Sequence, residues 1–148
     1  MYPIGSILLA KNYKLPTAVK DKFFIVIATQ EGHMSLLSMT TSKIYFDTSL
    51  VKHGIIRDRD VSVYCFKSGI VIGQNGFSFR KDTIVSHRSN IHQVSEEKLQ
   101  IMDIEVMDFM IKDELINLIY SFYKYKYIDD KYKIILEDVL NNLCNSED

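Results

Sequence analysis

Residues 23–29 read FFIVIAT, and this stretch decides the fold of the chain. It is apolar on both faces and rich in residues that favour β-structure, so it predicts a central strand that is buried on two sides. Glu31-Gly32 predicts a tight turn, and residues 34–39 return as the second arm of a hairpin. The sequence TTSK at residues 40–43 ends that arm.

Short strands are predicted on both sides of this hairpin. They lie at residues 4–11, 61–67, 70–73, 77–80 and 83–85, with an irregular polar segment at 44–60. Asn75-Gly76 is the strongest turn signal, because both residues tolerate the positive φ of a type I′ turn. Many short strands at this spacing are typical of a small barrel or sandwich. The predicted core includes Phe24, Val26, Leu36, Val63 and Ile70.

The periodicity changes to helical after about residue 94. Ser95 is a suitable N-cap with acidic residues behind it. Apolar residues recur at helical spacing in three segments, 99–110, 115–122 and 132–143, the last behind a cap at Asp129 or Asp130. The sequence therefore predicts an α+β protein, with a β-rich part at 1–94 and C-terminal helices at 95–148 that pack on or beside it.

Charge divides the chain at the same place. Residues 1–94 carry 12 Lys and Arg against 6 Asp and Glu, a net charge of +6, and residues 95–148 carry 6 Lys against 13 Asp and Glu, a net charge of −7. A basic segment favours an anionic partner, of which nucleic acid is the commonest. Attraction between the two parts of the chain explains the same charges equally well.

Composition excludes several classes of protein. Hydrophobic residues make up 47% of the chain and charged residues 25%, which argues against disorder. The longest apolar run is far shorter than a membrane span. The two cysteines form no CxxC pair, and the sequence contains no P-loop, dinucleotide fingerprint or nucleophile elbow. We therefore predict no metal, no cofactor, no membrane partner and a reducing, cytoplasmic location.

Polar residues at the ends of the hairpin strands could carry chemistry. Lys22, directly before the buried strand, can meet a phosphate, although a lysine there is also a common guard against aggregation. Thr41 and Ser42 bring hydroxyls to a place where backbone N–H groups are free, and this combination can hold an anionic oxygen. A simple strand-ending turn is the alternative. Lys20 and Lys43 add positive charge beside them.

A second group of polar residues follows in the last predicted strands. Arg80 can stabilise the charge of a phosphorane-like transition state. Asp82 or His87 can move protons, and a histidine suits that role near neutral pH. Lys81 and Arg88 can bind further phosphates. Ordinary surface charge on a hairpin arm and loop explains these residues as well.

A third group is the tyrosine- and lysine-rich segment at residues 120–133. Aromatic rings can stack on bases while the lysines between them bind phosphates. Aromatic residues at this spacing are also typical of an amphipathic helix that packs inward.

The order of these features resembles the MazF/PemK toxin family, including its ToxN/AbiQ-like relatives. The shared pattern begins with a glycine and an alternating apolar run, which here occupy residues 5–10. A basic residue then precedes a strongly apolar strand, as Lys22 does, and the next strand ends in Thr-Ser, as at Thr41-Ser42. Arg80-x-Asp82 is similar to the Arg-x-Asp of PemK-type members.

The resemblance covers about residues 3–94 and implies a small antiparallel SH3-like β-barrel at 1–94. It also implies metal-independent cleavage of single-stranded RNA, in which the ribose 2′-OH attacks the adjacent phosphorus and a cyclic phosphate results. With the residues discussed above, the predicted catalytic set is Lys22, Thr41, Ser42, Arg80, Asp82 and His87. The predicted RNA-binding set is Lys20, Lys43, Lys81 and Arg88.

The implied setting is a toxin–antitoxin or phage-defence system. The partners would be RNA and a cognate antitoxin, itself protein or RNA, and a homodimer is compatible with the family. Two other functions stay open. One is a non-enzymatic module on the same barrel that binds RNA or poisons gyrase. The other is a protein–protein interaction domain that uses the acidic helical part.

Overall fold

The computed structural model of the chain describes residues 2–32, 34–58, 60–88 and 90–146. The strands are β1 (Ser6–Lys14), β2 (Val19–Gln30), β3 (Met34–Met39), β4 (Gly54–Asp58), β5 (Val61–Phe66), β6 (Thr83–Ser86), β7 (Ile91–Ser95) and β8 (Ile104–Phe109). The helices are α1 (Glu96–Ile101), which lies between β7 and β8, α2 (Lys112–Tyr123) and α3 (Asp130–Asn145). None of the helices that the described residues form is long and apolar enough to cross a membrane.

The strands form two antiparallel sheets. Five strands pair in the order β7-β3-β2-β1-β8, and three pair in the order β4-β5-β6. Single bridges from Thr41 to Ile84 and from Gly73 to Met110 lie outside the named ladders. The α+β class with antiparallel sheets and a C-terminal helical part is confirmed. Within the described residues the pairing leaves the two sheets open, so a closed barrel is not what the ladders form.

Strand β2 is the central buried strand that residues 23–29 predict. Ile25, Val26, Ile27 and Ala28 are all fully buried. Because side chains alternate across a strand, Ile25 and Ile27 join the main core with α2 and α3, whereas Val26 joins a smaller cluster on the other face. An apolar run without polar alternation is therefore explained by burial on both faces.

The predicted helix at 99–110 is wrong over its second half. Helix α1 is capped by the Ser95 hydroxyl as expected, but residues 104–109 form β8 and pair with β1 at the edge of the large sheet. The sequence IEVMDF suits a strand as well as a helical stripe, and pairing satisfies backbone groups that β1 would otherwise leave open. Part of the acidic tail thus belongs to the sheet.

The predicted strands at 70–73 and 77–80 are also wrong, and so is the placement of Ile70 in the core, since that residue is 43% exposed. The segment is a tight loop in which the N–H groups of Ile72 and Gly73 donate to the Phe77 carbonyl. The buried Asp108 carboxylate accepts from the N–H groups of Asn75 and Phe77 and holds the loop. Residues 44–60, expected to be irregular, contain β4.

Candidate functional site

A groove of about 790 Å³ opens beside the ends of β2 and β3. Its lining includes four residues that come from three separate segments of the sequence: Lys22, Thr41, Ser42 and Arg80. The structure therefore brings together four of the six residues in the predicted catalytic set. Lys81 lines the same groove.

Strand pairing explains this convergence. Strand β3 runs antiparallel to β2 with Met39 opposite Phe24, so the chain leaves β3 beside Lys22. The Thr40 N–H donates to the Phe23 carbonyl at 3.0 Å. Thr41 then exchanges two backbone hydrogen bonds with Ile84, each of 2.9 Å, which carries the segment across to β6.

The groove has aromatic walls as well as cationic residues. Phe23, Phe77 and Phe79 all line it, and their ring centroids lie 5.1 to 5.6 Å apart. Edge-to-face and tilted packing at these distances holds the rings in a fixed arrangement. Phe79 is 5% exposed and belongs to the core, so Phe23 and Phe77, which are half-buried, supply the accessible aromatic surface. A groove that combines partly exposed rings with cations suits a ligand with flat apolar rings and negative charges, which is the chemistry of single-stranded nucleic acid.

The backbone N–H groups of Thr40 and Thr41, predicted to be free after β3, are instead committed, since they donate to carbonyls of β2 and β6, and the hydroxyls are left for an anion. The Thr41 hydroxyl oxygen accepts a hydrogen bond from the Lys43 N–H at 3.1 Å, so the strand-ending turn that we considered does form. That contact uses the oxygen as an acceptor and leaves the hydroxyl proton for another partner. The Ser42 side chain is exposed. The turn and an anion-binding role are therefore compatible.

Lys22 differs electrostatically from an ordinary surface lysine. Burial lowers the pKa of its amine, and the neighbouring Lys20 lowers it further. Both effects disfavour the ammonium form, so Lys22 releases a proton more easily than an exposed lysine does.

Asp21 is a groove residue that the sequence analysis did not select. Within the described part of the chain, it supplies the only carboxylate in the groove lining. Its Oδ1 accepts from the Asn12 N–H at 2.9 Å, and Asn12 has a left-handed φ of 53° at the irregularity between Ala10 and Tyr13 of β1. Bulges of this kind often position a side chain beside an active site.

Asp82 does not line the groove. Its carboxylate accepts from the Thr48 hydroxyl at 2.6 Å, the Ser68 N–H at 2.8 Å and the Lys67 ammonium at 2.9 Å. These hydrogen bonds, that of Thr48 foremost, lower its pKa to about 2. The prediction that Asp82 moves protons in this site is corrected, because its oxygens are already occupied in joining the 44–50 segment to the end of β5.

His87 is also outside the groove and is 3% exposed. The Ser121 hydroxyl donates to the Leu118 carbonyl, so His87 Nε2 donates to Ser121 at 2.8 Å, and Nδ1 accepts from the Ser62 hydroxyl at 2.8 Å. Burial, with the positive charge of Arg57, lowers the His87 pKa to about 4. The proton-transfer role predicted for His87 is therefore corrected as well: the ring is neutral and both nitrogens are committed.

The predicted RNA-binding residues divide in the same way. Lys81 lines the groove, whereas Lys20, Lys43 and Arg88 are exposed outside its lining. Two groups that line the groove were missed: Asp21 and the phenylalanines at 77 and 79. The signals were present, since Asp21 separates two lysines before the buried strand and the sequence around Phe77 is FSF.

The part of the chain that the structure describes contains no group of three or more His, Cys, Asp or Glu side chains that could hold a metal ion. No protein-family model, curated protein or solved structure matches the chain. The groove is therefore the feature from which a function is inferred.

Proposed function

We propose that the chain is a toxin-like endoribonuclease that cleaves single-stranded RNA in this groove without a metal, within a toxin–antitoxin or phage-defence system. We further propose that its two sheets are an open variant of the MazF/PemK-like SH3 barrel. The observation that carries the proposal is the convergence of Lys22, Thr41-Ser42 and Arg80 around aromatic walls. These groups suit the phosphate, the developing charge and the bases of an RNA strand.

The cations and hydroxyls bind the reacting phosphate. Arg80 presents a planar fork that matches two phosphate oxygens, and Lys81 adds charge beside it. The hydroxyls of Thr41 and Ser42 donate to the oxygen on which charge develops as the phosphorus becomes five-coordinate. The rings of Phe23 and its neighbours hold the flanking base by stacking.

Asp21 and Lys22 move the protons. The Asp21 carboxylate accepts the proton of the ribose 2′-OH while the 2′-oxygen forms a bond to phosphorus. Lys22, whose pKa is lowered, donates a proton to the 5′-oxygen as the bond between phosphorus and that oxygen breaks. The products are a 2′,3′-cyclic phosphate and a 5′-hydroxyl, so atoms and protons balance without a metal ion.

A cleavage assay with purified protein tests this function. The substrate is a pool of labelled single-stranded RNA, the buffer contains a chelator, and mass spectrometry detects the cyclic phosphate. Ser42→Ala should lower the cleavage rate a hundredfold or more, since a lost transition-state donor costs on the order of 2.7–4 kcal/mol. Ser49→Ala is the matched control, because Ser49 is exposed and lies outside the groove lining. Both variants should unfold within about 1 kcal/mol of wild type.

Three results would contradict the proposal in whole or in part. Intact RNA over the whole pool, together with normal growth on expression, would exclude the nuclease. Binding of RNA without cleavage would favour the non-enzymatic module. RNA cleavage that occurs only in a parallel buffer without the chelator would refute the metal-free mechanism but leave single-stranded RNA as the substrate.

A further inference from the structure

A second cavity lies at the turn between α2 and α3, and none of its lining residues lines the groove. Its volume is about 200 Å³. Pockets that enclose a whole drug-sized ligand have volumes of roughly 300–1,000 Å³, so this one suits a single ring system of a larger molecule. Its lining includes His87, Asn90, Tyr125, Tyr127, Asp129 and Tyr132, and we call it the tyrosine recess.

The tyrosine recess contains a ring that is open to solvent, that of Tyr127, whereas Tyr125 and Tyr132 are half-buried. The ring centroid of Tyr125 lies 5.8 Å from that of Tyr127 and 5.8 Å from that of His87. Tyr127 is 73% exposed. Inward packing from an amphipathic helix, the alternative explanation for the tyrosines of this segment, therefore does not apply to Tyr127. Its ring remains available for a ligand.

Positive charge is concentrated at the same place. Residues 124–133 carry four Lys against two Asp, whereas the rest of 95–148 carries two Lys against eleven Asp and Glu. The ammonium groups of Lys126 and Lys131 lie 5.4 and 4.8 Å from the ring centroids of Tyr127 and Tyr132. Lysines are thus held beside the rings in a tail that is otherwise acidic.

The other polar groups of the recess do not oppose an anionic ligand strongly. His87 is neutral, and each of its ring nitrogens is hydrogen-bonded to a serine of the protein. Asp129 is the N-cap of α3 and accepts from the Lys131 N–H at 3.1 Å, so the positive end of the helix compensates its charge. Arg88 follows His87 directly and is exposed.

We propose that the tyrosine recess binds a base of single-stranded RNA, with Tyr127 stacking on the base and Lys126, Lys131 and Arg88 close to the adjacent phosphates. The inference rests on the RNA substrate of the proposed function and adds a binding site outside the cleavage groove. Rings that alternate with lysines are the chemistry that recognises bases and phosphates together. The site would hold the strand while the groove cuts it.

Binding to RNA that cannot be cleaved tests the recess. A labelled 2′-O-methyl oligonucleotide lacks the attacking hydroxyl, so affinity is measured by anisotropy independently of catalysis. Tyr127→Ala should weaken binding about 5- to 150-fold, which corresponds to stacking of about 1–3 kcal/mol per base. Tyr127→Phe should bind like wild type. Tyr120→Ala is the matched control, because Tyr120 is 50% exposed and lines neither cavity.

Crosslinking of the wild-type protein gives a second readout that needs no variant. RNA containing 5-iodouridine should crosslink to tyrosines within residues 125–132. Crosslinks confined to groove residues, or equal affinities for wild type, Tyr127→Ala and Tyr120→Ala, would overturn the recess and leave the nuclease intact. RNA binding at the recess without any RNA cleavage would support the recess and refute the nuclease. Absence of RNA binding would refute both the recess and the nuclease.

Discussion

The groove and the two polar clusters around Asp82 and His87 both contain polar and charged side chains, but these side chains differ in exposure and in hydrogen bonding. Arg80 and Ser42 line the groove and are exposed. In the clusters, Asp82 accepts three hydrogen bonds, and His87 is enclosed with a hydrogen bond on each ring nitrogen. The first set is available to a ligand, and the second stabilises the fold.

This difference shows why residue type alone misidentifies proton-transfer groups. A carboxylate or imidazole can exchange protons with a substrate only if it reaches the substrate and titrates in the working range. Hydrogen bonds hold the pKa of Asp82 near 2, and burial with Arg57 holds that of His87 near 4. Asp21 has one described hydrogen bond, from the Asn12 N–H, and lines the groove.

The largest effect is expected at Arg80. Arg80→Ala should reduce RNA cleavage a hundredfold or more, since it removes a donor worth on the order of 2.7–4 kcal/mol in the transition state. Arg80→Lys keeps the charge without the planar fork and should fall between wild type and Arg80→Ala. Single-turnover rates and urea unfolding measure the two properties. If Arg80→Ala loses stability as well as activity, Arg80 has a structural role like Asp82 and His87, and the contrast between the groove and the two clusters does not hold.

A smaller effect is expected from acid acting on His87. Its pKa is about 4 in the folded chain against 6.5 for the free side chain, so the unfolded chain binds more protons between these values. Stability is therefore complete above pH 6.5 and decreases as the pH falls. Between about pH 7 and about pH 5 the free energy of unfolding should drop by about 2 kcal/mol.

His87→Gln should remove most of this pH dependence. Burial and Lys98 also lower the pKa of His92, so the variant will keep a smaller decrease in the free energy of unfolding as the pH falls. Urea unfolding at the two pH values measures the change. An identical pH dependence in wild type and variant would show that His87 is not the responsible group.

The smallest effect is expected at Asp82. Asp82→Asn should lower stability by about 1–2 kcal/mol, since it weakens charge-assisted hydrogen bonds to Thr48 and Lys67. RNA cleavage by the folded variant should stay within a few-fold of wild type. Because the folded pKa is about 2 and the ordinary value is 3.8, the stabilisation is fully present above pH 3.8 and decreases progressively as the pH falls towards about 2. Abolished cleavage with normal stability would return Asp82 to the catalytic set.

Predictions from sequence succeeded where one segment carries its own signal. The hairpin arm at 34–39 has the predicted bounds, the Ser95 and Asp129 caps form, and Phe24, Val26, Leu36 and Val63 are buried. They failed at residues 104–109 and 70–80, where the local pattern suits more than one structure. Pairing with β1 makes residues 104–109 a strand, and hydrogen bonds to the Asp108 carboxylate hold the loop within residues 70–80.

Sequence alone determined the central buried strand, the opposite net charges of residues 1–94 and 95–148, and the position of Thr41-Ser42 after the end of β3. These features depend on apolar run length, charge and turn residues, all of which are local. The prediction that Lys22 precedes the buried strand is wrong, because β2 begins at Val19 and Lys22 pairs with Ala10 inside it. Tertiary structure decided which polar groups are free. It brought Arg80 and Asp21 to the groove and enclosed His87 between Ser62 and Ser121, because a hydrogen-bond partner distant in sequence commits a side chain that local pattern leaves open.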